Sequence, residues 1–277
     1  MNKVNWGYCS HSWNPLAMRC TRVSEGCEHC WHLRMADRLA KNPKIPSEER
    51  EVYAGSGGWC IIRDVEMDAP SRRKKPAIVA VQLMGDLGHE TVADEDRGRV
   101  WIAMTKAPQH TFLVLTKRPK RIAHWMHHHW TNMIEPNIFL GVTVENQQAA
   151  NERIPTLLKI PAAGHWLSIE PMLGPVDLYP AFCGFQPPSW GCGPDISGVA
   201  LGGESGPGAR PMHPDWARGV RDQCADSGVP FHFKSWGKWI PSFEMPDGTM
   251  VHQNFEKHKQ RLLDGREHNE TAWGMPA

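Results

Sequence analysis

The chain has 277 residues, of which 40% are hydrophobic and 22% are charged, a composition that suits one or two folded domains with a sizeable core. Its 31 Lys and Arg side chains nearly balance 30 Asp and Glu, and the net charge of +1 excludes a protein that binds polyanions mainly through bulk charge. Because no apolar run approaches the roughly 20 residues of a membrane helix and the N-terminus lacks the apolar core of a signal peptide, we expect a cytoplasmic protein with no membrane partner.

Apolar, β-branched runs alternate with amphipathic helical patterns along most of the chain. Continuous rather than alternating apolar runs predict strands that are buried on both faces. The predicted strands are Val4–Cys9, Ala77–Met84, Thr111–Leu115, Ile138–Val144, His165–Ile169, Gly198–Leu201 and Pro230–Phe233. The predicted helices are Trp31–Lys41, Asp94–Lys106, Arg118–Trp130, Gln147–Ile160 and Pro214–Ser227.

Polar residues end six of these apolar runs at intervals of 25–34 positions, which is the length of one βα unit. We therefore predict an α/β fold with a single, partial (β/α) barrel of six to seven units, and an open doubly wound sheet is the alternative. The barrel is expected to span residues 1–239, with loop insertions at about 42–76 and 178–197 and a C-terminal extension, residues 240–277, packed on it. The six residues are Asp86, Lys117, Glu145, Glu170, Glu204 and Lys234.

Three cysteines after the predicted first strand form the pattern C-x6-C-x2-C, at Cys20, Cys27 and Cys30. Three thiolates can hold an iron–sulfur cluster and leave one iron open, and this is the interpretation that we favour. A tetrahedral zinc site needs a fourth ligand, and nearby histidines offer one. Ordinary buried cysteines are the third alternative. The candidate fourth ligands are His11, His29 and His32.

A three-cysteine loop after the first strand of a (β/α) barrel resembles the radical S-adenosylmethionine (radical SAM) superfamily, whose usual spacing is C-x3-C-x-aromatic-C. The gap of six residues departs from that spacing. Seven segments, in order, resemble an uncharacterised radical-SAM-like protein family of phages and prophages. They are WNPLAMRCTRVSEGCEHCW, MGDLGHE, FLVLTKRP, GVTVENQ, SIEPMLGPVDL, GGESGPGARPMHPDW and FHFKSWGKW.

The resemblance implies a 4Fe–4S cluster on the three cysteines, with S-adenosylmethionine chelated to the fourth iron. One electron from a donor such as flavodoxin or ferredoxin would cleave the sulfonium, and the 5′-deoxyadenosyl radical would take a hydrogen from the substrate. The resemblance also implies that His29 lies near the adenine and that Asp86 holds the methionyl amino group. Asp86 as a cap of the following helix is the alternative.

The remaining strand-end residues offer binding or proton-transfer groups. Thr143, Glu145 and Asn146 end the fourth strand, where a carboxylate or amide could bind ribose hydroxyls, and Ser168 at the end of the fifth is a further cofactor-binding candidate. Glu145 and Glu170 are also a candidate acid–base pair. Lys117 is a candidate catalytic residue, and with its neighbour Arg118 it would suit a carboxylate or phosphate.

The segment GGESGPGARP is a candidate ligand-binding loop. Gly202 and Gly203 permit close approach of the backbone to a ligand, Glu204 adds a charge, and Arg210 can bind an anion. Trp236 and Trp239, farther along the chain, either stack on a base or pack at the barrel mouth.

The association with phages indicates a nucleic-acid or nucleotide substrate, such as a DNA base that is hypermodified or repaired. Arg72–Lys75 and Lys117–Arg121 would then contact phosphates, and a base in a duplex would have to flip out. Two rival hypotheses remain. One is a zinc-dependent hydrolase or nuclease that uses the carboxylates, and the other is a nucleic-acid-binding module with a structural zinc.

Overall fold

The computed structural model describes residues 1–4, 6–130, 133–182, 195–245, 249–254 and 260–273. The strands are β1 (Asn2–Lys3), β2 (His11–Trp13), β3 (Leu16–Met18), β4 (Cys60–Ile62), β5 (Ala77–Val81), β6 (His110–Thr116), β7 (Ile138–Thr143), β8 (Gly164–Ile169), β9 (Ile196–Gly202), β10 (Phe231–Ser235), β11 (Trp239–Glu244) and β12 (Met250–Asn254). The helices are α1 (Trp31–Ala40), α2 (Ser47–Ala54), α3 (Asp64–Met67), α4 (Ala69–Arg72), α5 (Asp94–Thr105), α6 (Pro119–His129), α7 (Gln147–Leu157), α8 (Tyr179–Phe182) and α9 (Pro214–Asp226). Within these ranges, every helix is too short or too polar to cross a membrane.

One curled sheet forms the centre of the molecule, with the strand order β1-β2-β5-β6-β7-β8-β9-β10. All neighbouring pairs from β2 to β10 are parallel, and only β1 runs antiparallel to its neighbour β2. The parallel strands follow one another in sequence order, without the reversal that defines a doubly wound sheet. Since β1 and β10 form its two edges, the sheet is a half-barrel rather than a closed barrel.

Both faces of the sheet are buried, as the continuous apolar runs predict. Alternate residues of each strand point to opposite faces. On the outer face, Phe112 and Leu167 belong to a large core cluster that also includes Val100 and Ile122 from α5 and α6. On the inner face, Leu113 and Trp166 belong to a separate cluster inside the half-barrel.

The predicted first strand at Val4–Cys9 is wrong. Residues 6–9 form a loop between β1 and β2, and Gly7 adopts a φ of 82°, which is incompatible with a strand. A side chain at Gly7 would meet the rings and guanidinium of His232 and Arg261, so this loop packs closely against β10 and the C-terminal segment. Its apolar residues are buried because Tyr8 inserts into the half-barrel.

The predicted insertions and C-terminal extension contain more regular structure than expected. Residues 42–76, predicted as a loop, hold α2, α3, α4 and β4, and β4 pairs with β3. In the second insertion, α8 precedes residues 183–194, which lie outside the described part of the chain.

The C-terminal extension packs partly inside the half-barrel rather than only on its surface. It begins as a hairpin of β11 and β12. The Trp273 side chain is 1% exposed, and its indole Nε1 donates to the Tyr8 carbonyl at 2.9 Å. Because the last described residue fills the interior, the extension is part of the core.

Candidate functional site

A cavity of about 210 Å³ opens at the carboxyl ends of the parallel strands, the end that carries the sites of barrel enzymes. Most of the residues that the sequence singled out line it together. They are Cys20, Cys27, His29, Cys30, Asp86, Lys117, Thr143, Ser168, Glu170, Gly203 and Glu204. Three other predicted residues, Glu145, Gly202 and Arg210, do not line the cavity.

The cysteine loop, residues 20–30, forms one wall of this cavity. All three of its cysteines are free thiols. The loop makes a single 3-10 turn at Glu25–Cys27, and α1 begins directly after Cys30. His32 on α1 is 2% exposed, and its Nε2 accepts the backbone N–H of Cys20 at 3.3 Å. His32 therefore orients the loop from behind, and burial lowers its pKa to about 4, which keeps the ring neutral.

Glu145 holds the middle of the cysteine loop. Its carboxylate is 1% exposed; Oε1 accepts the Ser24 hydroxyl and the Lys117 ammonium, and Oε2 accepts Arg153 Nη1 at 2.6 Å. A side chain at Gly26 would collide with this carboxylate, so only glycine lets the loop pack so closely. Glu145 is thus enclosed and does not form the predicted acid–base pair with Glu170.

Asp86 and Arg118 brace the other end of the loop. Asp86 Oδ1 accepts the Gly88 N–H at 2.8 Å and the Thr116 hydroxyl at 2.6 Å, while Oδ2 accepts the N–H of Lys117 and Arg118 Nη1, both at 3.1 Å. These bonds occupy the carboxylate's acceptor positions. Asp86 therefore fastens the end of β6 and leaves no free oxygen for a methionyl amino group, and it is not a helix cap, since α5 begins only at Asp94.

Arg118, which is ion-paired with Asp86, also contacts the first cysteine of the loop. Its Nη1 lies 3.6 Å from the Cys20 Sγ, and its Nη2 donates to the Thr21 hydroxyl at 2.7 Å. The predicted anion-binding pair, Lys117 and Arg118, is thus placed against the cysteine loop. Their positive charges can offset thiolate charge there.

The glycine-rich segment clamps the cysteine loop from the opposite side. Arg210 binds Glu204 through Nε at 2.9 Å and Nη2 at 2.7 Å, and it also donates to Glu28 and to the Glu25 carbonyl, each at 3.0 Å. Although burial raises the pKa of Glu204, the hydrogen bonds and charge of Arg210 lower it below its usual value. Arg210, predicted to bind an anionic ligand, therefore serves Glu204 and the cysteine loop.

Close backbone packing supports this clamp. A side chain at Gly203 would overlap the carbonyl oxygen of Trp236. The indole N–H of Trp236 donates to the Leu262 carbonyl at 2.8 Å, and that of Trp239 to the Ala209 carbonyl at 2.7 Å. Neither tryptophan lines the cavity, so both take the packing role that was the alternative to base stacking.

Four polar side chains, in or directly after β7, β8 and β10, form another wall of the cavity. Thr143 and Ser168 are register partners on neighbouring strands, and Glu170 follows on the same face. The Lys234 ammonium forms an ion pair with Glu170. Trp6 and Tyr8, which the sequence reasoning did not select, complete this wall. Only their loop geometry reveals them, because they stood in a stretch predicted as a strand.

The thiols have different proton affinities. Burial, followed by the charge of Asp86, raises the pKa of Cys20 to about 12, although Arg118 opposes both. Burial also raises the pKa of Cys27, but the Lys117 ammonium and hydrogen bonds from Val23 and Ser24 outweigh burial, so its pKa lies below the usual value. Of Cys20 and Cys27, the site therefore favours Cys27 as the thiolate.

The three cysteines supply the type of donor atom that an iron–sulfur cluster uses. Among the described residues, no three His, Cys, Asp or Glu side chains converge closely enough to hold one ion. In a cluster, each thiolate binds its own iron, so the thiols need to face one cavity without meeting at one point. Cys20, Cys27 and Cys30 face one cavity in this way. Of the three histidines considered as zinc ligands, His11 pairs with the Ser10 hydroxyl at 2.9 Å, His32 Nε2 accepts the backbone N–H of Cys20, and His29 lines the cavity.

One predicted phosphate contact lies at the wrong end of the molecule. Arg72–Lys75 precedes the first residue of β5, Ala77, and so sits at the amino ends of the parallel strands. The cavity opens at their carboxyl ends, so this basic segment cannot contribute to the site. Lys117 and Arg118 are at the correct end and line the cavity.

Comparison with curated proteins and with solved structures returns no match. A model of one protein family matches residues 2–272, which is nearly the whole chain and includes the cysteine loop and every strand of the half-barrel. That family is described as a protein of unknown function, DUF5131. The chain is therefore a member of the DUF5131 family.

Proposed function

We propose that this protein is a radical SAM enzyme. The single observation that carries the proposal is that three free thiols on one loop line the same strand-end cavity as a set of polar side chains suited to a small polar ligand. Cys20, Cys27 and Cys30 would hold a 4Fe–4S cluster. When bound, this cluster and S-adenosylmethionine supply a 5′-deoxyadenosyl radical that removes a hydrogen atom from the substrate.

The chain's own residues position and balance these groups. Lys117 and Arg118 place positive charge beside Cys27 and Cys20, which offsets the charge of the thiolates. His29, Thr143, Ser168, Gly203 and Glu204 line the remaining cavity and would hold S-adenosylmethionine. Glu145 and Arg210 act as positioning residues, because both fasten the cysteine loop without reaching the cavity.

Metal analysis tests the proposal directly. We expect the protein purified without oxygen to be brown and to contain about four irons and four sulfides per chain. Cys27→Ala should lose the cluster, whereas Cys60→Ala, which removes a thiol in β4 outside the cavity, should retain it. With a reduced flavodoxin or ferredoxin as the electron donor, the intact protein should convert S-adenosylmethionine to 5′-deoxyadenosine and methionine.

Two results would contradict the proposal. One zinc and no iron per chain after anaerobic reconstitution would remove the proposal and favour a zinc protein. A cluster that survives in Cys27→Ala would show that the three cysteines are not its ligands.

A further inference from the structure

The end of the cavity formed by β8 and β10 has a composition unlike that of the cysteine wall. Trp6 and Tyr8 face it with ring centroids 6.4 Å apart at an angle of 42°. Beneath them, the Tyr8 ring packs on Trp166 at 6.0 Å and edge-on to His232 at 5.5 Å. These buried rings fix the Tyr8 ring, which in turn contacts the half-buried Trp6, and an aromatic surface of this kind is suited to a planar ligand.

A carboxylate and an ammonium lie beside this aromatic pair. Lys234 is ion-paired with Glu170, and its Nζ lies 5.0 Å from the Trp6 ring centroid and 5.8 Å from that of Tyr8. Glu170 Oε1 is buried without a well-aligned hydrogen-bond donor among the described residues, although the Tyr8 hydroxyl, whose pKa is raised by burial and by Glu170, lies next to this carboxylate. A buried carboxylate oxygen without a donor costs free energy, so a ligand that supplies an N–H there gains the corresponding stabilisation.

Acceptor and donor stand next to each other in this subsite. Glu170 can only accept hydrogen bonds, and Lys234 can only donate them. A ligand that matches the pair must carry an N–H group adjacent to a carbonyl oxygen or ring nitrogen, on a flat ring that can pack against Trp6 and Tyr8. The edges of the nucleobases have this arrangement.

We propose that Trp6, Tyr8, Glu170 and Lys234 form a nucleobase-binding subsite. This inference rests on the proposed function, because it assigns the substrate of the same cavity. It places the base at the β8–β10 end and leaves the β5–β7 end to the cysteine loop.

Inosine and purine riboside provide a matched pair of probes, since purine riboside lacks the N–H and carbonyl of the inosine six-membered ring. We expect calorimetry on the full-length, anaerobically purified protein to show inosine binding at least tenfold more tightly. Equal affinities, or no binding of either nucleoside at millimolar concentration, would overturn the subsite.

Variants test the assigned residues. Glu170→Gln should weaken inosine binding about tenfold, and Trp6→Ala should weaken it by a similar factor, because stacking on an aromatic ring typically contributes that much. Trp6→Phe should retain most of the affinity. Glu152→Gln, an exposed carboxylate on α7, is the control. If Glu170→Gln and Trp6→Ala bind inosine like the control, the assignment is wrong.

A third experiment asks whether the base belongs to a nucleic acid or to a free nucleoside. It compares the binding of deoxyinosine as a nucleoside with its binding within a short single-stranded oligonucleotide. Tighter binding of the oligonucleotide identifies nucleic acid, and equal or weaker binding identifies a free nucleoside or nucleotide. The two proposals fail separately. If the protein binds inosine more tightly than purine riboside but holds no iron cluster, the subsite stands and the radical function is wrong. If it holds a cluster that cleaves S-adenosylmethionine but binds both probes equally, the radical function stands and the subsite is wrong.

Discussion

The Ser24 hydroxyl donates a hydrogen bond to Oε1 of Glu145, a residue 121 positions later in the chain. Ser24 lies between the first two cysteines of the loop, and Glu145 follows β7. Through the same carboxylate, Lys117 and Arg153 are drawn into one buried cluster. The position of the cysteine loop is therefore set by the half-barrel beneath it, and not by the loop alone.

Removing the charge of Glu145 should destabilise the protein strongly. In Glu145→Gln, the Lys117 and Arg153 cations lose their buried counter-charge, and breaking a buried ion pair from one side costs about 3–5 kcal/mol. Urea unfolding measures this loss. Glu152→Gln, on the helix α7 that follows Glu145, is exposed and should change the free energy of unfolding by less than about 0.5 kcal/mol. Equal unfolding midpoints for the two variants would contradict the role of Glu145 in holding the cysteine loop.

A methyl group at Gly203 should disturb the glycine-rich clamp. In Gly203→Ala, the new Cβ would overlap the Trp236 carbonyl, and the backbone has to shift because neither atom belongs to a flexible side chain. Overpacking of this kind costs about 1–3 kcal/mol. Gly58→Ala is the matched control, since its Cβ would meet nothing within 4 Å. The difference between their thermal midpoints measures the effect, and indistinguishable midpoints would show that the clamp yields easily.

Trp273 should contribute to stability although it lies near the end of the described chain. The side chain contacts Trp166 at a centroid distance of 5.4 Å and fills the space beside Gly198. Trp273→Ala would leave a cavity and is expected to cost about 3–5 kcal/mol in chemical denaturation. Trp59→Ala removes an indole that is 45% exposed and should cost far less. Similar losses for both would mean that the extension does not belong to the core.

The buried His232 predicts a pH dependence of stability. Burial lowers its pKa from 6.5 to about 4, and the unfolded chain therefore binds a proton between these values while the folded protein does not. Stability should thus rise with pH from about 4 to 6.5, and this residue accounts for up to about 3 kcal/mol of the rise.

Unfolding free energies at several pH values test this slope. His232→Leu should flatten it over the same window, leaving the part that is due to the other histidines with a lowered pKa, such as His32, whose pKa burial lowers to about 4, and His89. His127→Leu replaces an exposed histidine on α6 and should leave the slope unchanged. A slope that is the same in all three proteins would show that His232 titrates normally.

The strands from β5 to β10 were predictable because burial on both faces leaves continuous apolar runs, and each run ends in a polar residue at the cavity. The same logic failed at the predicted strand Val4–Cys9, where Tyr8 and Cys9 are buried inside the half-barrel as part of a loop instead of a strand. An apolar segment predicts that its side chains are buried, but it does not predict which part of the protein buries them. Trp6 and Tyr8 were missed as cavity residues for this reason.

Composition and order along the chain determined the class of fold and placed the three cysteines and most of the strand-end polar residues around one cavity at the carboxyl ends of the strands. Only the tertiary structure separated Glu170, which lines the cavity with one oxygen lacking a well-aligned donor, from Glu145 and Asp86, whose oxygens already accept hydrogen bonds from the protein. All three are carboxylates that follow a buried strand, so their local sequence is alike. What differs is the set of donors that distant segments bring to each carboxylate, and those donors assemble only when the chain folds.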